Sequence, residues 1–161
     1  MKRLLLLLTL FTLHTGIFQA AVNNLQALVI TYGELTDALV DSNSKMAAEK
    51  ARKFASILGA IPLAGLSKPE GHVLKKNKEK MLELAGSIAK SADVEVQRKS
   101  YAQLSEIMWT LVKASGSIAG PLYYQYCPMK KWYWISNTAA IRNPFYGIKM
   151  LTCGSTSDTL K

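Results

Sequence analysis

Only two cysteines, Cys127 and Cys153, and two histidines stand in the 161 residues. One histidine, His14, falls in the leucine-rich start, which leaves His72 alone in the rest of the chain. A single histidine far from both cysteines gives no motive for a Cys–His nucleophile pair. There is no Cys-x-x-Cys redox pair, no phosphate-binding glycine loop and no zinc-hydrolase helix motif. Acidic residues are also scarce, 11 against 20 Lys and Arg. Glu34, Glu49, Glu79, Glu83, Glu95 and Glu106 read as solvated helix positions or i,i+4 ion-pair partners rather than acid–base catalysts. These absences point to a non-enzymatic protein. No apolar run beyond the first residues approaches the roughly 20 needed to cross a bilayer.

The start itself reads as a secretory signal over residues 1–20. Lys2 and Arg3 precede an apolar stretch from Leu4 to Leu13, and small residues follow at Ala20 and Ala21. The expectation is export to the periplasm. Residues 21–161 then fit one domain with a core of its own. Without Lys2 and Arg3 the balance is 18 basic to 11 acidic side chains. The densest basic cluster, Lys75-Lys76-Asn77-Lys78-Glu79-Lys80, is interrupted by Glu79 and carries no aromatic residue to stack bases. It reads as a solvated helix face, and nucleic acid is not an expected partner.

Residues 22–117 carry four apolar stripes at helical spacing. The first is Val22, Leu25, Leu28, Val29, Tyr32, Leu35 and Leu39, and the second Met46, Ala47, Ala51, Phe54, Leu58 and Ile61. A third helix, starting in the low 70s after the breakers Pro62, Gly65 and Pro69-Glu70-Gly71, carries Leu74, Met81, Leu84, Ala85 and Ile88. The fourth carries Val94, Gln97, Tyr101, Leu104, Met108, Leu111 and Val112. Short turns between four such helices predict a mainly α protein, an up-and-down four-helix bundle. Met46, Met81 and Met108 read as core fillers. Gly33, Gly59 and Gly86 mark either local weakness or close helix packing. Residues 118–154 are aromatic and broken by Pro and Gly. They predict an irregular region, with a strand pair or short helix at most, packed on the bundle by its rings. Residues 155–161 read as a loose tail.

Sulfur is concentrated in that region. Cys127-Pro128-Met129 and Met150-Leu151-Thr152-Cys153 are near mirror images. Thiolate and thioether are soft donors that suit Cu(I) or Ag(I) over Mg²⁺ or Ca²⁺. Two positions apart on an extended segment, Cys127 and Met129 would face one side. Three apart, Met150 and Cys153 fit a tight turn. The expected metal ligands are therefore Cys127, Met129, Met150 and Cys153, with Trp132 or Trp134 able to lie over a cation. A second reading stays open. In an exported chain two cysteines commonly pair, and a Cys127–Cys153 disulfide would stabilise by about 3 to 4 kcal/mol. The protein would then be an interaction module presenting Tyr123, Tyr124, Trp132, Trp134 and Tyr146 to a partner.

Three segments carry a family resemblance: Tyr124-Gln125-Tyr126-Cys127-Pro128-Met129, Ile141-Arg142-Asn143-Pro144-Phe145-Tyr146-Gly147 and Lys149-Met150-Leu151-Thr152-Cys153-Gly154. With Gln97 to Ser105 upstream and the Asp37-Ala38-Leu39-Val40-Asp41 turn, they resemble the bacterial family catalogued as domain of unknown function 3347. The resemblance implies an exported helical domain, alone or appended to periplasmic adaptor subunits of heavy-metal efflux pumps. It implies a context of copper or silver handling, with an envelope efflux or metal-transfer protein as partner. Phe145 departs from the family, which usually has Tyr there.

Overall fold

A computed structural model describes residues 24–116 and 118–161. The expected signal at 1–20 and Val22 lie outside the described residues. Helix α1 covers residues 24–40, and its buried stripe is Leu25, Leu28, Tyr32, Leu35 and Leu39. Steps of three and four keep these side chains on one helix face, and each fully buried large apolar side chain contributes roughly 1.5–3 kcal/mol. Helix α2, Ser44–Ala60, starts where the Asn43 side chain accepts the Met46 N–H at 3.0 Å. Ala47, Ala51, Phe54 and Leu58 face its core. Met46 does not: it is 39% exposed, whereas Met81 and Met108 are fully buried as core fillers. It sits in the first turn of α2, beside its own cap.

Helix α3 runs Lys68–Lys90, earlier than its apolar stripe suggests. Ser67 and Glu70 form a reciprocal capping box, with the Ser67 N–H on Glu70 Oε2 at 2.8 Å. Pro69 lies in the first turn, where its missing N–H costs nothing, so it starts the helix rather than breaking it. Helix α4, Val94–Ala114, is capped by the Asp93 side chain, which accepts the Glu95 N–H at 2.8 Å. The four helices form the expected up-and-down bundle. An added Cβ at Gly33, Gly59 or Gly86 would meet nothing within 4 Å, so none of the three marks close packing. Among the described residues no helix is long and apolar enough to cross a membrane.

The C-terminal part is more regular than its sequence suggests. It forms a three-stranded antiparallel sheet in the order β2-β1-β3, from β1 Leu122–Cys127, β2 Trp132–Ser136 and β3 Ser155–Leu160. The stretch expected to be a loose tail is strand β3, paired along β1 from Leu122↔Leu160 to Tyr126↔Ser155. Its side chains are mostly exposed, so backbone pairing rather than burial holds it.

Aromatic rings do fix the sheet to the bundle. Tyr124 stacks on Trp109 of α4 at 4.6 Å and on Tyr133 of β2 at 4.7 Å. Tyr32 and Tyr101 stack at 5.3 Å within the core. The Tyr32 hydroxyl pairs with Ser105 Oγ at 2.7 Å and accepts the Ile135 N–H at 3.2 Å. It thereby occupies a backbone donor on β2, an edge strand of the sheet.

Candidate metal centre

Strand β1 ends at Cys127, whose side chain is fully buried. The chain then turns through Pro128 to Lys131. The Lys131 N–H donates to the Cys127 carbonyl at 2.8 Å, and Lys131 adopts a φ of 59°. This turn overturns the expectation of one extended Cys-x-Met segment. Proline at 128 has no N–H to continue a ladder. Met129 stands on the outside of the turn, 61% exposed. The second arm follows its spacing more closely. A short 3₁₀ helix spans Gly147–Met150, and the Cys153 N–H donates to the Met150 carbonyl at 3.1 Å. Met150 and Cys153 are both half-buried.

Strand pairing brings the two arms to one end of the sheet. Tyr126 pairs with Ser155, so Cys127 lies one residue beyond that rung and Cys153 two residues before it. Gly154 lets the strands close. A Cβ there would lie 2.8 Å from the Tyr126 carbonyl and 2.9 Å from the Trp134 ring.

Asn143 fixes the second arm from within, fully buried. Its side-chain amide donates to the Cys153 carbonyl at 2.7 Å, and its backbone N–H donates to the Leu151 carbonyl at 2.8 Å. Its side-chain oxygen accepts the Phe145 N–H at 2.8 Å. Arg98 of α4 holds the same loop to the bundle. Its Nε donates to the Pro144 carbonyl at 2.7 Å, and its Nη2 to the Leu39 carbonyl at 3.0 Å and Ser42 Oγ at 2.9 Å. Gly147, at φ 58°, sits where a Cβ would be 2.6 Å from the Val40 carbonyl.

The rings near the arms are already engaged. Lys130 Nζ lies 5.3 Å from the Trp132 ring centroid and 5.4 Å from that of Tyr146. The cation on Trp132 is thus the protein's own lysine. Trp134 is fully buried, edge-on to Phe145, which also meets Tyr101 and Trp132. Phe145 is itself fully buried among these rings, a site with no call for the hydroxyl it lacks. Of the expected aromatic surface, Trp134 is therefore core, and Tyr123, Tyr124, Trp132 and Tyr146 are only half-exposed.

Lys130 also pairs with Glu95 at 3.1 Å, and Arg98 reaches the same carboxylate at 2.7 Å. Partial burial pushes the Glu95 carboxyl up, but the hydrogen bonds from Arg98 and Lys130 outweigh it and hold it below the usual range. His72 is exposed on α3. Both cysteines are free thiols, and no three His, Cys, Asp or Glu side chains group as metal ligands among the described residues. The donors that the two arms offer are thiols and thioethers, a set for soft monovalent ions rather than hard divalent ones. A groove of about 440 Å³ between α1 and residues 119–122 and 134–142 has neither cysteine in its lining.

Asn143 and Arg98 are the positioning residues that sequence reasoning left unassigned. Asn143 stood out only as part of the family-like segment Ile141 to Gly147. Arg98 carried one faint signal, a cation at stripe spacing between Val94 and Tyr101 of α4, next to Gln97.

A family model described as "protein of unknown function (DUF3347)" matches residues 28–120. The match contains the Gln97–Ser105 segment and ends before the sheet and both sulfur arms. No curated protein and no solved structure matches the chain.

Proposed function

The chain belongs to the DUF3347 family, and we propose that it binds Cu(I) or Ag(I) at the sheet end. Cys127 and Cys153 supply thiolates, and Met129 and Met150 supply thioethers. The observation that carries this reading is the β1–β3 register, which sets the two cysteine-bearing segments side by side. The difference in exposure supports separate roles for the donors. Met129 meets incoming ions at the surface, while buried Cys127 holds them away from water. The Asn143 bond to the Cys153 carbonyl fixes the second arm before metal arrives, which lowers the ordering cost of binding. The site works in the periplasm and passes metal to an envelope efflux or transfer protein, without catalysis.

One further observation favours a redox-controlled version. Two free thiols stand on adjacent segments, and an oxidising compartment favours their pairing. Reduction then opens the metal site. The alternative, an interaction module locked by that disulfide, has less aromatic surface to offer than its sequence suggested, because Trp134 is core.

The test is an anaerobic Cu(I) competition titration on reduced and untreated protein. Cys127→Ser and Cys153→Ser should each abolish tight binding, and Met129→Leu should weaken it. Unchanged affinity in all three variants removes the assignment.

A further inference from the structure

Three of the large apolar side chains that stand exposed gather at one end of the molecule: Val96 at 46%, Met129 at 61% and Ile148 at 82%. Lys130 pins their segments together. It follows Met129 directly, pairs with Glu95 beside Val96, and lies over the ring of Tyr146, two residues before Ile148. Each apolar residue also has an exposed lysine near it: Lys99 one turn from Val96, Lys131 after Met129, and Lys149 after Ile148. Among the described residues none of these three lysines takes part in an ion pair, whereas Glu95 at the same end is held by Arg98 and Lys130. The end therefore combines protruding apolar tips with three uncommitted lysines against one carboxylate without an ion pair among the described residues, Asp93, on a chain whose net charge is +9.

We infer that this end docks on an anionic lipid surface. The charge complement selects an acidic partner, and the shape selects a bilayer. Met129 stands on a turn and Ile148 on a single-turn 3₁₀ helix, and both protrude rather than line a groove, a shape that inserts into a soft surface more readily than it fits a protein pocket. Lipid headgroups and acyl chains do this, with lysines held at the phosphate level. Met129 is shared with the proposed metal site, but Val96, Ile148 and the three lysines are not, and the inference does not require the thiols to bind metal.

The test is flotation of the full chain with phosphatidylglycerol vesicles and with phosphatidylcholine vesicles. The leucine-rich start is common to every variant, so differences between variants report on this end. Preferential, salt-sensitive binding to phosphatidylglycerol is expected. Lys131→Glu with Lys149→Glu should weaken it by at least about fivefold per lysine. Ile148→Asp should weaken it without changing the circular dichroism of the fold. Leu63→Asp, an exposed residue in the α2–α3 connection, should bind as the parent does. Equal partitioning of the parent, Ile148→Asp and the double lysine variant overturns the inference. So does equal binding to both lipids, or a preference for polyglutamate with no lipid binding.

Discussion

Arg98 donates its Nε–H to the Pro144 carbonyl at 2.7 Å, and so ties the fourth helix to the loop that carries the second sulfur arm. The same guanidinium reaches the Leu39 carbonyl at the end of α1 and the Ser42 hydroxyl in the following turn. One buried cation thus joins three segments that are distant in sequence, using the fork geometry that a lysine lacks.

Arg98→Ala should therefore destabilise the protein by about 2 to 4 kcal/mol, since it strands the buried Pro144 carbonyl and leaves the Leu39 carbonyl with the Ser42 N–H alone. Arg98→Lys should recover little of this, because one ammonium cannot serve all these partners. Urea denaturation of the three proteins checks both expectations. Glu95→Gln should cost far less, because that end of the pair is 54% exposed.

Glycines should divide into two groups. Gly147→Ala places a Cβ 2.6 Å from the Val40 carbonyl at a left-handed φ, and should cost more than 1 kcal/mol, on the order of 2. Gly59→Ala and Gly86→Ala have open space and helical backbone, and each should gain about 0.5 to 1 kcal/mol. Thermal melts distinguish the two groups by sign.

Much of the bundle was legible because packing and periodicity agree. Leu25, Leu28, Tyr32, Leu35 and Leu39 are buried where a 3.6-residue repeat puts them. The start of α3 was legible in principle and misread. Pro69 drew attention as a breaker, although Ser67 and Glu70 stand at capping-box spacing around it.

The sheet was hidden for a different reason. β1, central in the sheet, buries Leu122, Gln125 and Cys127 and half-buries the tyrosines between them, so its sequence shows no alternation. β3 is Ser-Thr-Ser-Asp-Thr-Leu, a mostly exposed edge whose one apolar residue, Leu160, gives no alternation to read. The candidate site inherits that blindness. Both cysteines were visible as donors, but their approach depends on the β1–β3 register, a long-range pairing that local spacing does not encode. Pro128 was visible between the two donors, but the turn that sends Met129 outward was not.

Stability should fall at both ends of the pH scale. Hydrogen bonds from Lys50 and Lys53 hold Glu34 below its ordinary value, those from Arg98 and Lys130 do the same for Glu95 against the opposing effect of burial, and the Lys113 bond does so for Asp158. Carboxylates lowered on folding contribute stability that is present above their ordinary values, 4.5 for Glu and 3.8 for Asp. It is lost as pH falls through the lowered folded values.

At the alkaline end, burial raises Tyr32 to about 12 and pushes Tyr101 well above its ordinary 10.0. Their contribution is complete below pH 10 and is lost as pH rises through the folded values. Phenolate absorbance followed alongside circular dichroism should show these two tyrosines ionising late, together with unfolding. Tyr32→Phe should cost about 1 to 3 kcal/mol at neutral pH, because the Ile135 N–H loses its acceptor.

Oxidation should close the proposed site. Thiol counting on untreated protein should find both cysteines paired, and reduction should restore two free thiols together with Cu(I) binding. Reduced protein should also lose affinity as pH falls, since each thiol must shed a proton to bind.

The most direct measurement is X-ray absorption at the copper edge on reduced, Cu(I)-loaded protein, beside Cys127→Ser and Cys153→Ser. The account predicts a first shell made of sulfur alone in the parent, with sulfur scattering reduced in each variant. A shell of nitrogen or oxygen, or one that neither cysteine variant alters, contradicts it.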